Sequence, residues 1–550
     1  MGNRKKESNF IVQGSILAVA SIVSRIIGLV YRIPMTAVIG DGGNDYYSTA
    51  YEIYNLFLLI SSCSLPLAVS KLVSARMANG ERKNAFRLFK GALIFSVISG
   101  AACSLIVFFG AEFITAKMQT PFSLFALRVL APTLLVVAVL GTIRGFFQGL
   151  GTMMPSAVSQ IAEQIANAAI SIGASYILFS YGAKVGAVLG QEENYAQAYG
   201  AAGGTLGTCV GAVVGLFFVS FVFFAYRPTF RRMMRRDKMK KTESYSDVLK
   251  VIILTVVPVL LSTTIYNISS IFDQWLFKNI AVMQGYSGND IKIWWGIFSG
   301  KYKLLTNVPI SIASAMAASS VPSLTAAFVN RDRKLVRYKI NIVTRFIMVI
   351  AIPCAVGMFV LADPIMQMLF PGTSELAGHL IRVGAVSIVF YSLSTLSNGI
   401  LQGINRMRVP VINAIIALGV HIVFLLFLMF GLHMTIEAVV LANAFYALLM
   451  CILNGVAVRR YVRHRQEIKK TFLLPCVSSA AMGVVVFFVY ELLIKLVKSN
   501  FISTVVAILA GIATYGIFLI VFKGLNEEEL QSVPKGDLII RILRKFHILH

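Results

Sequence analysis

Residues 21–34 read SIVSRIIGLVYRIP and hold two arginines, Arg25 and Arg32, inside an otherwise apolar run. Seven residues make two helical turns, so both guanidinium groups share one face and stand about 10.5 Å apart along the axis. An arginine at mid-bilayer costs roughly 2.5–3.5 kcal/mol on insertion scales, and such a residue faces a polar interior or a partner. Two chemistries meet that requirement. The charges can be neutralised internally, with Asp45, Glu52, Glu163 and Asp273 as candidate carboxylates, or they can line a cationic cavity that takes an anion. Arginine's planar fork suits a phosphate, and a lysine adds a point charge. Lys301 and Lys303 in FSGKYKLLTNVP would join the second arrangement; alone, they also read as a pair snorkelling to the end of a span. Gly28 and Pro34 would let the first helix bend. Residues 40–45, GDGGND, read as the loop to the next helix, with Gly40, Gly42 and Gly43 as a gate ahead of Asp45.

The elements that must position these residues are membrane helices. Of 550 residues, 57% are hydrophobic and 13% charged, with a mean hydropathy of +0.77, which excludes a soluble domain of this size. A span needs about 20 mostly apolar residues. That ruler predicts an all-α, polytopic membrane protein with 14 transmembrane helices, near 10–38, 47–75, 88–110, 121–143, 155–181, 199–226, 248–277, 294–327, 338–362, 376–402, 409–431, 434–458, 471–494 and 500–522. The opening MGNRKKESNF is basic and then apolar, yet no small-residue cleavage site follows, so it reads as a retained first helix.

Charge placement orients the spans. With the N-terminus inside, the inward segments hold 35 Lys and Arg, and the outward loops hold six: Lys117, Lys184, Lys278, Lys292, Lys495 and Lys498. The bias alternates through all fourteen spans and leaves both termini cytoplasmic. The net charge of +26, including RPTFRRMMRRDKMKK at 227–241, therefore belongs to topology and anionic lipid headgroups rather than to nucleic acid. The six cysteines lie apart without a CxxC pair and read as packing residues, with no metal site. No DDxxD cluster is present and the six histidines are scattered, which argues against a prenyl-transferring enzyme.

An internal repeat divides the chain. GFFQGLGTMMP at 145–155 and GILQGINRMRVP at 399–410 each end a span with G-x-x-Q-G and open the next near a proline. The offset spans six helices, an even number, so the halves keep one orientation and imply two parallel six-helix lobes around a central cavity, plus two C-terminal helices. The expected domains are an N-terminal lobe at 1–226, a basic cytoplasmic linker at 227–247, a C-terminal lobe at 248–462, two further spans at 463–524, and a basic amphipathic tail at 525–550 lying on the inner leaflet.

SRIIGLVYR followed by GDGGND, the PSL at 322–324 and the six-plus-six-plus-two plan resemble the MurJ and stage V sporulation protein B branch of the multidrug/oligosaccharidyl-lipid/polysaccharide exporter superfamily. The resemblance runs from about residue 10 to 524 and implies a non-enzymatic flippase of the bacterial plasma membrane. Such a protein moves a diphosphate-bearing lipid-linked oligosaccharide from inner to outer leaflet by alternating access, as a monomer among membrane lipids. By position, the family's cavity cations and the acidic residue after the first helix fall on Arg25, Arg32, Lys303 and Asp45. The chain departs from the family where Leu58 and Leu59 stand in place of a second-helix arginine, and its two first-helix arginines are spaced one residue wider. No cofactor is expected; Na⁺, H⁺ and the membrane potential stay open as drivers. The competing expectation is a cation-coupled multidrug antiporter of the same superfamily, whose pocket would be acidic or aromatic rather than arginine-bearing.

Overall fold

The computed structural model describes residues 2–521 apart from 64, 236, 238–242, 464 and 465. Among the described residues every regular element is a helix, the element that satisfies its own backbone groups inside a bilayer. Among the described residues eleven stretches are long and apolar enough to cross a membrane, and one of them, Val19–Ala78, covers most of the first expected span and all of the second. The expected spans 248–277 and 294–327 are not among the eleven, and both are interrupted. Helix α7 (Tyr245–Asn267) gives way to α8 (Ser269–Met283) at Ile268, and α9 (Gly288–Ile297) reaches α10 (Lys303–Val329) through a π-helical turn, Phe298–Tyr302.

The first helix differs from its expected form. There is no loop at 40–45: α1 (Gly2–Leu58) departs from helical φ/ψ at Gly40 (φ 69°, ψ −177°) and resumes at once. That backbone region is essentially reserved for glycine. The break therefore falls at Gly40 rather than at Gly28 or Pro34. Gly42 and Gly43 are packing positions, since a Cβ at Gly42 would lie 2.1 Å from Gln197 Oε1 and one at Gly43 2.7 Å from Ile39 Cβ.

The chain folds as two compact units, 1–300 and 301–550. The division follows Gly300 instead of the 227–247 segment, because α8 and α9 pack on α1. In the first unit, α2 (Leu65–Ala78), α3 (Arg82–Lys117), α4 (Leu124–Gly149), α5 (Met154–Leu189) and α6 (Glu192–Arg235) complete the bundle. Lipid tails are as apolar as leucine, so helices here associate through close packing at small residues. Gly203, Gly207 and Gly211 share one face of α6 and meet α5; a Cβ at Gly207 would stand 2.6 Å from Ser171 N. The glycines of G-x-x-Q-G do the same for α4 on α2, where a Cβ at Gly145 would come 2.6 Å from Pro66 O and one at Gly149 2.7 Å from Val73 Cβ.

The second unit holds α10, α11 (Arg333–Val360), α12 (Ala362–Leu369), α13 (Glu375–Gly403), α14 (Arg408–Leu426), α15 (Ile436–Val462), α16 (Leu474–Val497) and α17 (Asn500–Val521). Its G-x-x-Q-G seats α13 on α10: a Cβ at Gly403 would lie 3.2 Å from Leu324 Cδ2, and Thr325 Oγ1 donates to Gly403 O at 2.9 Å. The two motifs thus have one physical role, letting the motif-bearing helix of each half approach a partner. In the described part of the basic segment, Glu243 accepts from Arg76 Nε at 3.0 Å and Nη2 at 2.9 Å, and Asp237 Oδ2 accepts from Lys83 N at 2.8 Å. The tail at 525–550 lies outside the described residues.

Candidate functional site

Within the first unit, α1, α2, α4, α5 and α8 line an open cavity of about 510 Å³. Its polar lining includes Glu52, Asn55, Arg144, Gln148, Gln160 and Ser270. Arg144 closes the last turns of α4 and points across to α5, where Nε donates to Ser159 Oγ at 2.8 Å and Nη2 to Glu163 Oε2 at 2.8 Å. One turn on, Gln148 Nε2 donates to Ser156 Oγ at 3.2 Å. Ser156, Ser159 and Glu163 recur at helical spacing on α5, so one polar stripe receives both donors. Glu52 enters from the other side and accepts from Ser270 Oγ at 2.7 Å. The side chains of Arg144 and Glu163 are 13% and 22% exposed, and of the pair Arg144 lines the cavity.

The sequence-derived candidates separate into groups. Arg32 lies over an aromatic pad, its guanidinium carbon 4.7 Å from the Tyr47 centroid and 5.8 Å from that of Tyr51; the two rings stack at 5.5 Å. Such cation–π contact holds a guanidinium without consuming its hydrogen-bond donors. Arg25 sits on an exposed part of α1, next to the seam where Ser21 Oγ donates to Gln160 Oε1 at 3.4 Å. Asp45 and Glu163, expected as counterions of the first-helix arginines, pair elsewhere: Asp45 with Lys278, Glu163 with Arg144. Asp273 is buried at 1% exposure. Pro34 is exposed and Gly28 faces Gln164.

Two lysines assigned to outward loops are instead internal. Lys278 is fully buried on α8, and Lys292 is 8% exposed on α9, where its ammonium donates to Asn194 Oδ1 at 3.0 Å. In the second unit, Lys301 is 6% exposed and donates to Thr373 Oγ1 at 2.8 Å, while Lys303, at the start of α10, is half-buried.

A polysaccharide biosynthesis protein family model matches residues 11–328, and a MatE model matches 304–427. The chain belongs to the polysaccharide biosynthesis protein family. It is thereby a member of the multidrug/oligosaccharidyl-lipid/polysaccharide exporter superfamily. It is 25% identical over 488 residues to the lipid II flippase MurJ of Bacillus subtilis (strain 168), 86% of each chain. It is 24% identical to stage V sporulation protein B of the same organism, over 96% of this chain and 98% of the relative. Among solved structures it is similar to the lipid II flippase MurJ in its inward closed conformation (TM-score 0.64, 18% identity, covering 92% of this chain and 98% of that one). An inward-facing MATE multidrug resistance transporter gives the same TM-score at 15% identity, over 81% and 98%. Arg144 is a cavity residue that is absent from the candidates named by the sequence. The available signal was its place directly before Gly145 of the repeat, one turn ahead of Gln148.

Proposed function

We propose that this protein flips a polyprenyl-diphosphate-linked saccharide, lipid II or a related cell-wall precursor, from the inner to the outer leaflet of a bacterial plasma membrane. The observation that carries the reading is a polar cavity with Arg144, Glu52 and three side-chain amides, set among apolar membrane helices of a chain related over most of its length to a lipid II flippase. The amides and hydroxyls suit a sugar headgroup. Arg25, Arg32 and Lys303, with Lys301 nearby in sequence, serve the diphosphate; Asp45, Glu52, Glu163 and Asp273 balance charge during the cycle. Both termini are cytoplasmic, so the Gly40 end of α1 faces outward. The protein acts as a monomer without a cofactor, driven by Na⁺, H⁺ or the membrane potential.

Complementation of cells depleted of their lipid II flippase tests this. A charge-assisted hydrogen bond contributes about 1.5–3 kcal/mol, so Arg25→Ala lowers flipping at least about tenfold while still inserting, because loss of a charge eases placement in lipid. Arg25→Lys retains part, since the point charge survives without the fork. Wild-type flipping by Arg25→Ala refutes the diphosphate role.

A further inference from the structure

Three residues on α1 and three on α8 pair in register. Asp45, Thr49 and Glu52 lie four and three residues apart, and Ser270, Gln274 and Lys278 four and four, so each set occupies one helical face. Running antiparallel, they form three rungs: Asp45 Oδ1 accepts from Lys278 Nζ, Thr49 Oγ1 from Gln274 Nε2, and Glu52 Oε2 from Ser270 Oγ. The Glu52–Ser270 rung lines the cavity. Beyond it, toward Gly40, Asp45, Thr49, Gln274 and Lys278 are all at 0% exposure. The seam is thus polar inside and sealed from the cavity outward.

The flanking backbone changes direction at glycines on both sides of the seam. Helix α8 follows α7 after a one-residue interruption at Ile268, which keeps helical dihedrals (φ −72°, ψ −18°), and turns into α9 around Gly285 (φ 83°), and the arm of α1 that carries the rungs begins at the Gly40 break. Helix α9 and the turn after it pack against that arm with no room for a side chain: a Cβ at Gly296 would lie 1.8 Å from Asp41 O and one at Gly300, in the π-helical turn, 2.6 Å from Asn44 Cγ. A buried ion pair is weak evidence of stability, because apolar residues of similar volume hold helices together as well or better. Moreover, Asp45 Oδ2 and Gln274 Oε1 find no donor among the described residues. A partly satisfied polar seam between two hinged helices is a poor permanent contact and a good separable one.

We propose that α8 is a strap closing the outward end of the substrate path, that the three rungs are its fastening, and that the Asp45–Lys278 pair sets its closed state. The word outward rests on the orientation given under the proposed function; the fastening does not. The test therefore reads accessibility, independently of any lipid. In a form whose six native cysteines are replaced by alanine, Thr49→Cys is exposed in intact spheroplasts to a membrane-impermeant, charged thiol reagent. It is protected in the otherwise unaltered seam and labels at least tenfold faster once Lys278→Met or Asp45→Asn is added. Lys495→Met, at an exposed i,i+4 pair, leaves the rate unchanged. Cys103, buried in α3 and restored alone to the same background, stays protected in every variant, which separates opening of the strap from general unfolding. Fast labelling without either rung variant, or unchanged protection with both, overturns the proposal.

Should the charge variants fail to accumulate, the pair Thr49→Cys with Gln274→Cys leaves the ion pair intact. Bridging it with a short bis-methanethiosulfonate reagent abolishes flipping, and reductant restores it. Full transport by the bridged protein refutes the strap, whereas transport lost irreversibly on bridging shows damage rather than locking and equally counts against it. A protein whose strap opens as described but which fails to complement for lipid II would overturn the substrate assignment alone.

Discussion

Replacing Arg144 separates a structural ion pair from a substrate-facing one. Its guanidinium makes two hydrogen bonds of 2.8 Å, one to the Glu163 carboxylate and one to Ser159. Arg144→Met strands the Glu163 carboxylate beside the cavity-lining Arg144 position. Removing one partner of a fully buried pair costs about 3–5 kcal/mol, whereas exposed pairs are worth about 0–1 kcal/mol. With side chains 13% and 22% exposed, the cost falls between these, about 2–3 kcal/mol. The thermal midpoint of the purified protein in detergent should drop accordingly. Adding Glu163→Met removes the stranded charge with residues of similar volume and should return the midpoint to near the starting value, as apolar replacement of buried pairs generally does. Flipping, measured by complementation, should not return, because the cavity has lost its cation. A double variant that flips at the wild-type rate would refute the argument that Arg144 faces substrate, and a single variant with an unchanged midpoint would refute the energetic reasoning.

Two further outcomes test the packing. Gly40→Ala places a side chain where nothing lies within 4 Å, so its whole effect comes from a backbone region closed to other residues; a loss of about 1–3 kcal/mol in stability is expected, and an unchanged midpoint would show that the break can relax. Gly207→Leu forces α5 and α6 apart, given a Cβ position 2.6 Å from Ser171 N, and should abolish accumulation in the membrane, whereas Gly173→Ala, in open space, should leave levels unchanged on quantitative blotting.

The fold was legible because hydropathy acts residue by residue along the chain, so no long-range information was needed to see membrane helices. The repeat was legible for a related reason: G-x-x-Q-G is a local device, although its role in close helix packing shows only in the structure. The break in the first helix was only half legible. GDGGND looks like a loop by composition, yet Gly42 and Gly43 are small because Gln197 and Ile39 crowd them, and one residue, Gly40, carries the entire change of direction. The carboxylates were recognised as counterions, but their partners were assigned by proximity to the opening arginines. Glu163 instead finds a cation 19 residues away on the preceding helix, four positions before Gln148, on a face that sequence shows only when the serines of α5 are read as its complement.

Lys278 and Lys292 show where charge counting runs out. A count of lysines by segment treats each as a solvated marker of sidedness, and these two sit at positions where such markers belong. Yet Asp45 is separated from Lys278 by 233 residues, a distance over which no periodicity in either helix reports on the other. What each helix does report is a stripe of three polar residues on one face, and a stripe in a membrane helix must meet water, a partner or another stripe. Only one pairing puts the carboxylate Asp45 against the ammonium of Lys278 and leaves Thr49 and Glu52 facing Gln274 and Ser270: the antiparallel one, in the register observed. The complement of charge and spacing thus selects the contact once both stripes are laid side by side. The same logic makes the seam separable, because a surface able to satisfy its polar groups on a second helix can also satisfy them on water or a passing headgroup, which an apolar face cannot do.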